Sequence, residues 1–330
     1  MLDETAFDLR KYLRRNSASV TVWLALLALI LFGLMRYENF GSAYNFSSFL
    51  NYNAMFIAIA LGMCFVIMTG GIDLSVGSVA AFTSVVAAYL SPYGIQVALP
   101  GAVLAGIGFG AINAFCIIIL RIPPFIATLA TMLAAKGGAL VISGAQTISV
   151  DWGSNFTKLG MGQAFGLFPW AIVIVAGLTL ALWLVLERTT IGRTVLAIGG
   201  SEDASNLMGL KVNRAKAVVY LLSGGCAGLA GVFLALGFGA GQPLEGIGWE
   251  LSAIASVVVG GTLLTGGMGS IPATVASALM LVFNAPNFEN GSGTISFSAY
   301  WQMVILGGFL FAVILLQSRV IARQQKVLGS

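Results

Sequence analysis

Residues 74–120 read LSVGSVAAFTSVVAAYLSPYGIQVALPGAVLAGIGFGAINAFCIIIL, a run of 47 residues without a charged side chain. A helix needs roughly 20 mostly apolar residues to cross the hydrocarbon core of a bilayer. The run is therefore long enough for two membrane-spanning helices. Ser91-Pro92-Tyr93-Gly94 is the predicted turn between them, because proline and glycine interrupt helices.

The whole chain has the composition of a membrane protein. Of its 330 residues, 58% are hydrophobic and 8% are charged, and the mean hydropathy is +0.96. A soluble globular chain carries roughly 25% charged residues. The prediction is an all-α polytopic membrane protein with about ten transmembrane helices. Beyond the two spans in 74–120, the charge-free runs place single spans in 16–35, 39–72, 122–150, 159–186, 217–244 and 290–318, and two short spans in 251–288.

The distribution of basic residues predicts the orientation, because cytoplasmic loops are enriched in Lys and Arg. With the amino terminus inside, thirteen of the 16 Lys and Arg residues fall in cytoplasmic segments, two fall outside, and Lys136 lies within a span. Both termini are predicted to be cytoplasmic. The expected organisation is a cytoplasmic segment 1–18, one transmembrane domain 19–318 and a cytoplasmic tail 319–330. Residues 143–168 form an extracytoplasmic loop and residues 187–216 a cytoplasmic loop.

The composition also argues against several classes of function. The net charge of +4 is too small for a nucleic-acid-binding protein, so no nucleic-acid partner is expected. The chain has no histidine, which excludes Ser-His-Asp triads and His-ligated metals. Its three cysteines, Cys64, Cys116 and Cys226, show no CxxC spacing. We expect neither an enzyme nor a bound metal or cofactor.

Two glycine-rich stretches about 190 residues apart resemble one another. Residues 70–78 read GGIDLSVGS and residues 260–270 read GGTLLTGGMGS. Each has a glycine pair, here Gly70-Gly71 and Gly260-Gly261, then a Leu followed by Ser or Thr and a closing Gly-Ser. Glycine at this density predicts broken or half helices, which at membrane depth either line a cavity or let helices pack closely. Both interpretations stay open at this point.

Asp73 lies within the first of these breaks. A carboxylate inside a bilayer is costly, so it should face the protein interior or water and have a partner. One hypothesis is that Asp73 and Lys136, the basic residue within a span, approach one another or share a polar network. The other has Asp73 capping the next helix by accepting from the backbone NH groups of Val76 or Gly77.

Two further glycine pairs favour close helix packing. They are Gly106-x-x-x-Gly110 and Gly224-x-x-x-Gly228. Small residues at this spacing let two helix backbones approach each other.

The cytoplasmic loop 187–216 contains a pattern typical of an isolated short helix. Gly199-Gly200 ends the preceding segment, and Ser201 with the acids Glu202 and Asp203 makes an N-cap and first turn. Residues 204–208 continue the helix, and Gly209 closes it. A helix this short has no stability of its own in water, so it should rest on a partner surface.

Four motifs carry a resemblance to a known family. MTGGIDLSVGSVAAFT, RIPPFIATLATM, GRTVLAIGGSEDASNLMGLKV and ELSAIASVVVGGTLLTGGMGS occur in the order found in permease subunits of bacterial ABC sugar importers. The chain resembles the ribose, xylose, arabinose and galactose group from about residue 45 to 318. Within that group it looks most similar to the galactofuranose permeases.

The resemblance implies a pore subunit of the bacterial inner membrane that forms a sugar path and works with partners. The chain has no G-x-x-x-x-G-K-[ST] motif, so ATP and Mg belong to a separate ABC ATPase. The family places the ATPase-coupling helix at Gly199 to Gly209, where Glu202, Asp203, Ala204, Leu207 and Gly209 match its motif. A periplasmic sugar-binding protein would dock on the outside loops, 143–168 and 242–250. A second permease subunit completes the pore, as a homodimer or as a heterodimer with a sister permease.

Candidate residues of the translocation path follow from the breaks and from polar or aromatic side chains within the spans. The family arginine is expected where this chain has Lys136, which keeps the charge but loses bidentate geometry. Each candidate has an ordinary structural role as its alternative. The candidates are Gly70, Gly71, Asp73, Ser75, Asn53, Asn113, Phe125, Thr128, Lys136, Gly260, Gly261, Asn284 and Trp301.

Other functions remain as alternatives. Related permeases share these breaks while carrying a polyol, a signalling furanose or a branched-chain amino acid. An ion-coupled secondary transporter would use Asp73 as its ion site and would leave the coupling-loop pattern without a role. An intramembrane enzyme lacks a plausible acid, base or metal constellation in this sequence.

Overall fold

The computed structural model describes residues 17–36, 40–164, 166 and 168–281, together with four helical positions at 304, 307, 308 and 311. The predicted all-α character is confirmed, because helices make up most of this part of the chain. The helices are α1 Ser17–Arg36, α2 Ala43–Met68, α3 Val76–Leu90, α4 Ile95–Ile118, α5 Pro124–Ser143, α6 Phe156–Met161, α7 Trp170–Arg188, α8 Thr190–Gly200, α9 Glu202–Leu207, α10 Val212–Phe238, α11 Trp249–Val259 and α12 Ile271–Leu281.

Four two-residue strands complete the secondary structure of the described residues. They are β1 Ile148–Ser149, β2 Gln163–Ala164, β3 Phe168–Pro169 and β4 Ala240–Gly241. β1 pairs antiparallel with β4, and β2 pairs antiparallel with β3.

Six of the described helical segments are long and apolar enough to cross a membrane. They coincide with α2, α3 with the following turn, α4, α5, α7 and α10, each within a charge-free run of the sequence or overlapping one. Three further apolar segments, in α1, α11 and α12, are shorter. The tenth predicted span, 290–318, falls almost wholly outside the described residues.

The predicted turn at Ser91–Gly94 is confirmed. α3 ends at Leu90, residues Ser91–Tyr93 form a single 3-10 turn, and α4 starts after Gly94 at φ +84°. A side-chain Cβ is strained at that angle, so glycine suits the position. The local chemistry of proline and glycine therefore decides where the 47-residue run divides.

The core is built around α2 and α10. Residues 53–68 of α2 are all buried, and α10 packs against α2, α3 and α4. In contrast, α4, α5 and α7 leave many large apolar side chains exposed, which suits surfaces that face lipid or another subunit.

The two GxxxG pairs meet each other across the contact of α4 with α10. A Cβ at Gly106 would lie 2.8 Å from the Cα of Gly228, and one at Gly224 would lie 3.0 Å from the Cα of Gly110. The two helices therefore touch backbone to backbone, which explains why both glycine pairs are needed. The predicted close packing at the two glycine pairs is therefore correct, and each pair is the packing partner of the other.

Candidate functional site

The loop between α7 and α10 has the local structure that its sequence predicts. α8 ends at Gly200, and the Ser201 hydroxyl then caps α9 by accepting from the amide of Ala204 at 3.2 Å. Gly209 follows α9 with φ +76°, the left-handed conformation that glycine adopts without strain. The sequence predicts Gly199-Gly200 only as the end of the preceding segment. In the structure both glycines are the last residues of a helix that begins at Thr190.

α9 exposes an apolar tip beside two acids. Leu207 is 90% exposed and Met208 is 70% exposed, and Glu202 and Asp203 are exposed one turn earlier. Large apolar side chains this exposed beside charged groups are typical of surfaces that bind another protein. The ammonium group of Lys216 on α10 bonds both carboxylate oxygens of Glu202 at 2.6 Å, which holds α9 on α10.

A groove of about 630 Å³ runs beside α9. One wall is the turn between α4 and α5, where Arg121 takes φ +57°, an uncommon angle for a residue other than glycine. On α9 the groove is lined by Glu202, Asp203 and Asn206, and it extends the exposed surface towards α5. Its lining residues are Ile117, Ile118, Arg121, Ile122, Pro123, Pro124, Glu202, Asp203, Asn206, Asn213 and Lys216.

Asp73 in the first glycine break is 1% exposed and accepts three hydrogen bonds. Its Oδ1 accepts from the backbone NH of Ser75 at 3.0 Å and from the Ser75 hydroxyl at 2.6 Å. Its Oδ2 accepts from the Ser223 hydroxyl on α10 at 2.7 Å. These bonds stabilise the buried carboxylate and join the break to the central helix.

Both hypotheses for Asp73 need correction. The ion pair with Lys136 does not form within the described residues, whose salt bridge is that of Glu202 with Lys216. The carboxylate accepts from Ser75, so Val76 and Gly77 were the wrong donors. The physical reason is that the chain turns one residue earlier than a simple cap would require.

The hydrogen bonds around Asp73 continue into two more helices. Asn113 on α4 donates to the Ser75 hydroxyl at 3.1 Å and accepts from Thr131 on α5 at 2.6 Å. Thr128 on α5 donates to the carbonyl of Ile72 at 3.3 Å. The predicted residues Asp73, Ser75, Asn113 and Thr128 are thus brought together, all nearly fully buried.

Sequence reasoning missed Ser223 and Thr131 as members of this network. Ser223 precedes the predicted pair Gly224 and Gly228, and Thr131 follows Thr128 by one helical turn. Their signal is a hydroxyl within an otherwise apolar span, in a chain that must satisfy a buried acid.

Lys136 interacts with a different acid. It is half-buried on α5, two turns beyond Thr128, and it interacts electrostatically with Glu250 at the start of α11. The charged partner of this candidate is therefore Glu250 rather than Asp73. Gly77 at the start of α3 approaches the same segment, since its Cβ would lie 3.2 Å from a carboxylate oxygen of Glu250.

The second glycine break occupies residues 260–270, between α11 and α12. Gly261, Gly266 and Gly267 have φ angles of +86°, +87° and +82°. A Cβ at Gly260 would lie 2.8 Å from the amide nitrogen of Thr274, so Gly260 packs against α12.

The two glycine breaks contact each other directly. The amide of Gly267 donates to the carbonyl of Met68, the last residue of α2, at 3.0 Å. A Cβ at Gly266 would lie 2.8 Å from the amide nitrogen of Gly70, and one at Gly70 would lie 3.3 Å from the carbonyl oxygen of Thr265. The close-packing interpretation of the repeated motif is therefore correct.

The remaining path candidates are dispersed. Asn53 on α2 is fully buried, and its Oδ1 has no hydrogen-bond partner in the part of the chain that the structure describes. Phe125 is 55% exposed on α5. Asn284 and Trp301 lie outside the described residues. Within the part of the chain that the structure describes, no three Cys, Asp or Glu side chains come together as a metal site would require.

The predicted outer loops are tied to each other. Through β1 and β4, Ile148 pairs with Gly241 and Ser149 with Ala240, so the loop 143–168 meets the start of 242–250. α10 leads from the α9 region to β4 in 27 residues, a length of about 40 Å at 1.5 Å per residue. The paired loops and the exposed tip of α9 thus lie at opposite ends of the helix bundle.

A family model described as "Branched-chain amino acid transport system / permease component" matches residues 45–314, most of the chain. The chain belongs to this permease family. As a member it is a non-catalytic permease subunit and a multi-pass protein of the inner membrane.

Individual members of the family align over nearly the whole chain. The ribose import permease protein RbsC of Escherichia coli K12 is 36% identical over 303 residues, covering 90% of this chain and 92% of its own. The inner membrane ABC transporter permease protein YjfF of the same strain is 38% identical and covers 87% of each chain. The D-allose transport system permease protein AlsC is 32% identical and covers 90% of each. No solved structure gives a significant match.

Proposed function

We propose that this chain forms the translocation path of an ATP-driven importer for a monosaccharide. The observation that carries the proposal is α9, a six-residue capped helix that presents Leu207 and Met208 to water beside two acids. α9 rests on α10 through Glu202 and Lys216 and leaves Leu207 and Met208 for a partner, which a separate ABC ATPase supplies. The residues proposed to contact the ATPase are Ser201, Glu202, Asp203, Ala204, Leu207 and Gly209, and Gly199 and Gly200 at the end of α8 lead into this surface.

The opposite end of the bundle suits a sugar-binding protein. Leu244 and Ile247, in the loop that follows β4, are 61% and 64% exposed. The antiparallel pairing of β1 with β4 holds this loop beside residues 143–168. With α9 in the cytoplasm, these loops face the periplasm, and both termini are cytoplasmic as the basic residues predict.

A neutral monosaccharide is the cargo that the chain supports best. Few charged side chains lie within the described spans, and Asp73 is fully engaged by serine donors. The relatives are named for ribose, allose and, at 34% identity, fructose. Within this class the likeness of the motifs to galactofuranose permeases favours a furanose, a choice that competition between labelled sugars decides.

The test compares two matched leucine substitutions at the two ends of the bundle. Tagged wild type, Leu207→Glu and Leu244→Glu are purified in mild detergent from cells expressing the neighbouring transport genes. We expect Leu207→Glu to lose the ATPase, since a buried charge opposes docking, and to retain the binding protein. Leu244→Glu should retain the ATPase and weaken the binding protein, because both leucines are exposed and neither supports the core.

The same purification distinguishes the alternatives. A wild-type chain that captures no ATPase and takes up solute in liposomes under an ion gradient is a secondary transporter, and the proposal fails. A second permease of different sequence in the eluate identifies a heterodimer, the arrangement that the likeness to galactofuranose systems favours. Its absence, with two copies of this chain per complex, identifies a homodimer.

A further inference from the structure

Gly199 lies where α8 meets the end of α2, two residues before the first glycine break, and the second glycine break. It is the last residue but one of α8, and a single residue, Ser201, separates α8 from α9. A methyl group at Gly199 would overlap the carbonyl oxygen of Met68 and the amide nitrogen of Gly267, and it would lie 2.7 Å from the carbonyl carbon of Gly266.

Backbone atoms meet at this contact. Gly266 and Gly267 take φ angles of +87° and +82°, and a Cβ at Gly266 would lie 2.7 Å from the Cα of Gly199. The Gly267 amide also bonds the Met68 carbonyl. The atoms nearest to a Cβ at Gly199 are backbone atoms of Met68, Gly266 and Gly267, so α8 cannot shift towards them without displacing their segments, since packed interiors are nearly incompressible.

α8 is a continuous helix that links α9 to the core. Its Val195 and Ile198 are 0% and 3% exposed, and the helix packs on α2, α7 and α10. Its C-terminal end is continuous with α9 through the Ser201 cap and its bond to Ala204. A force on α9 therefore acts on Gly199 two to three residues away.

We propose that Gly199 is a positioning residue that transmits displacement of α9 to both glycine breaks at once. The inference rests on the proposed docking of an ATPase on α9. From the first break the displacement reaches Asp73 and, through Ser223, the central helix α10. From the second break it reaches α12 through the contact of Gly260 with Thr274.

The adjacent glycine provides the matched control. Gly200 is exposed, and a Cβ there would meet nothing within 4 Å. Gly199→Ala and Gly200→Ala therefore change helix propensity equally and differ in contact with the breaks. The experiment uses the purified complex with its ATPase in nanodiscs, and it measures hydrogen–deuterium exchange of peptides spanning 66–75 and 260–270, with and without ATP and vanadate.

In the wild type and Gly200→Ala, nucleotide should change exchange in both peptides. In Gly199→Ala that response should fall roughly tenfold while the ATPase remains bound and active, because coupling between the sites is lost and docking is kept. A purely structural role for Gly199 would lower thermal stability without separating ATP hydrolysis from the response of the breaks.

Three results would overturn the inference. They are an unchanged exchange of both peptides in the wild type with ATPase bound, a response of one break without the other, and a Gly199→Ala response equal to that of Gly200→Ala. If Gly199→Ala does not accumulate, the wild-type exchange decides alone. A wild type that captures no ATPase contradicts the proposed function instead, so the two failures are distinguishable.

Discussion

The two glycine breaks have similar sequences and are held in place by different means. The first is fixed by side chains, because Asp73 accepts from Ser75 and Ser223. The second has no acid and relies more on backbone, with three glycines in the left-handed region and the turn bonds of Gly261 to Val258 and Gly266 to Leu263, beside the hydroxyl contacts of Thr262 with Cys64 and of Ser270 with Ser19. A shared motif thus encodes close approach at both breaks, while the residues that stabilise each one differ.

The largest expected effect is at Gly266 in the second break. Gly266→Ala places a Cβ in a left-handed conformation that costs about 1–2 kcal/mol and against the backbone of Gly199 and Gly70. Together with overpacking, the loss of stability should be about 4 kcal/mol, measured by thermal unfolding in detergent. Gly248 has φ +80° with nothing within 4 Å, so Gly248→Ala should cost the strain alone. Equal losses would contradict a role for contact between the breaks.

The next effect is at Asp73 in the first break. Asp73→Ala leaves the NH and hydroxyl of Ser75 and the hydroxyl of Ser223 without their acceptor, a loss of about 3 kcal/mol. Asp151 makes the same local turn, accepting from the NH of Gly153 at 2.9 Å, but it is exposed. Asp151→Ala should cost about 0.5 kcal/mol or less, as a surface change does. A loss at Asp151 matching that at Asp73 would show that the turn matters and the burial does not.

The smallest effect is at Ser223. Ser223→Ala removes one of the three donors to Asp73 and should lower stability by about 1 kcal/mol. Ser277 on α12 is equally buried, and its hydroxyl has no partner among the residues that the structure describes. Ser277→Ala should therefore leave the unfolding temperature unchanged. An equal destabilisation at Ser277 would show that the loss at Ser223 does not come from its hydrogen bond to Asp73.

The features that the sequence predicts correctly are those decided by neighbouring residues. The Ser91–Gly94 turn and the Ser201 cap of α9 each follow from the chemistry of two to four adjacent residues. Charge-free runs locate the spans for a similar reason, because a helix within a bilayer satisfies its backbone hydrogen bonds inside its own segment.

The features that the sequence does not predict depend on residues far apart in the chain. Ser223 is 150 residues from Asp73, and nothing in the sequence links the two. The sequence instead suggested Lys136 as the partner, because it is the basic residue within a predicted span. Gly199 was predicted only to end the segment before α9, and it proved to touch the second break and the end of α2, two residues before the first break. Such contacts follow from the packing of whole helices, which hydrophobic patterning does not specify.

The bond between Ser223 and Asp73 also has a consequence for the timing of synthesis. The two residues are 150 positions apart, so at about 5–20 residues per second the ribosome makes the second roughly 8–30 s after the first. Throughout that interval the carboxylate depends on Ser75, two positions away, for its hydrogen bonds. During synthesis the local turn thus supplies hydrogen bonds to the Asp73 carboxylate until α10 is made and Ser223 adds the last one.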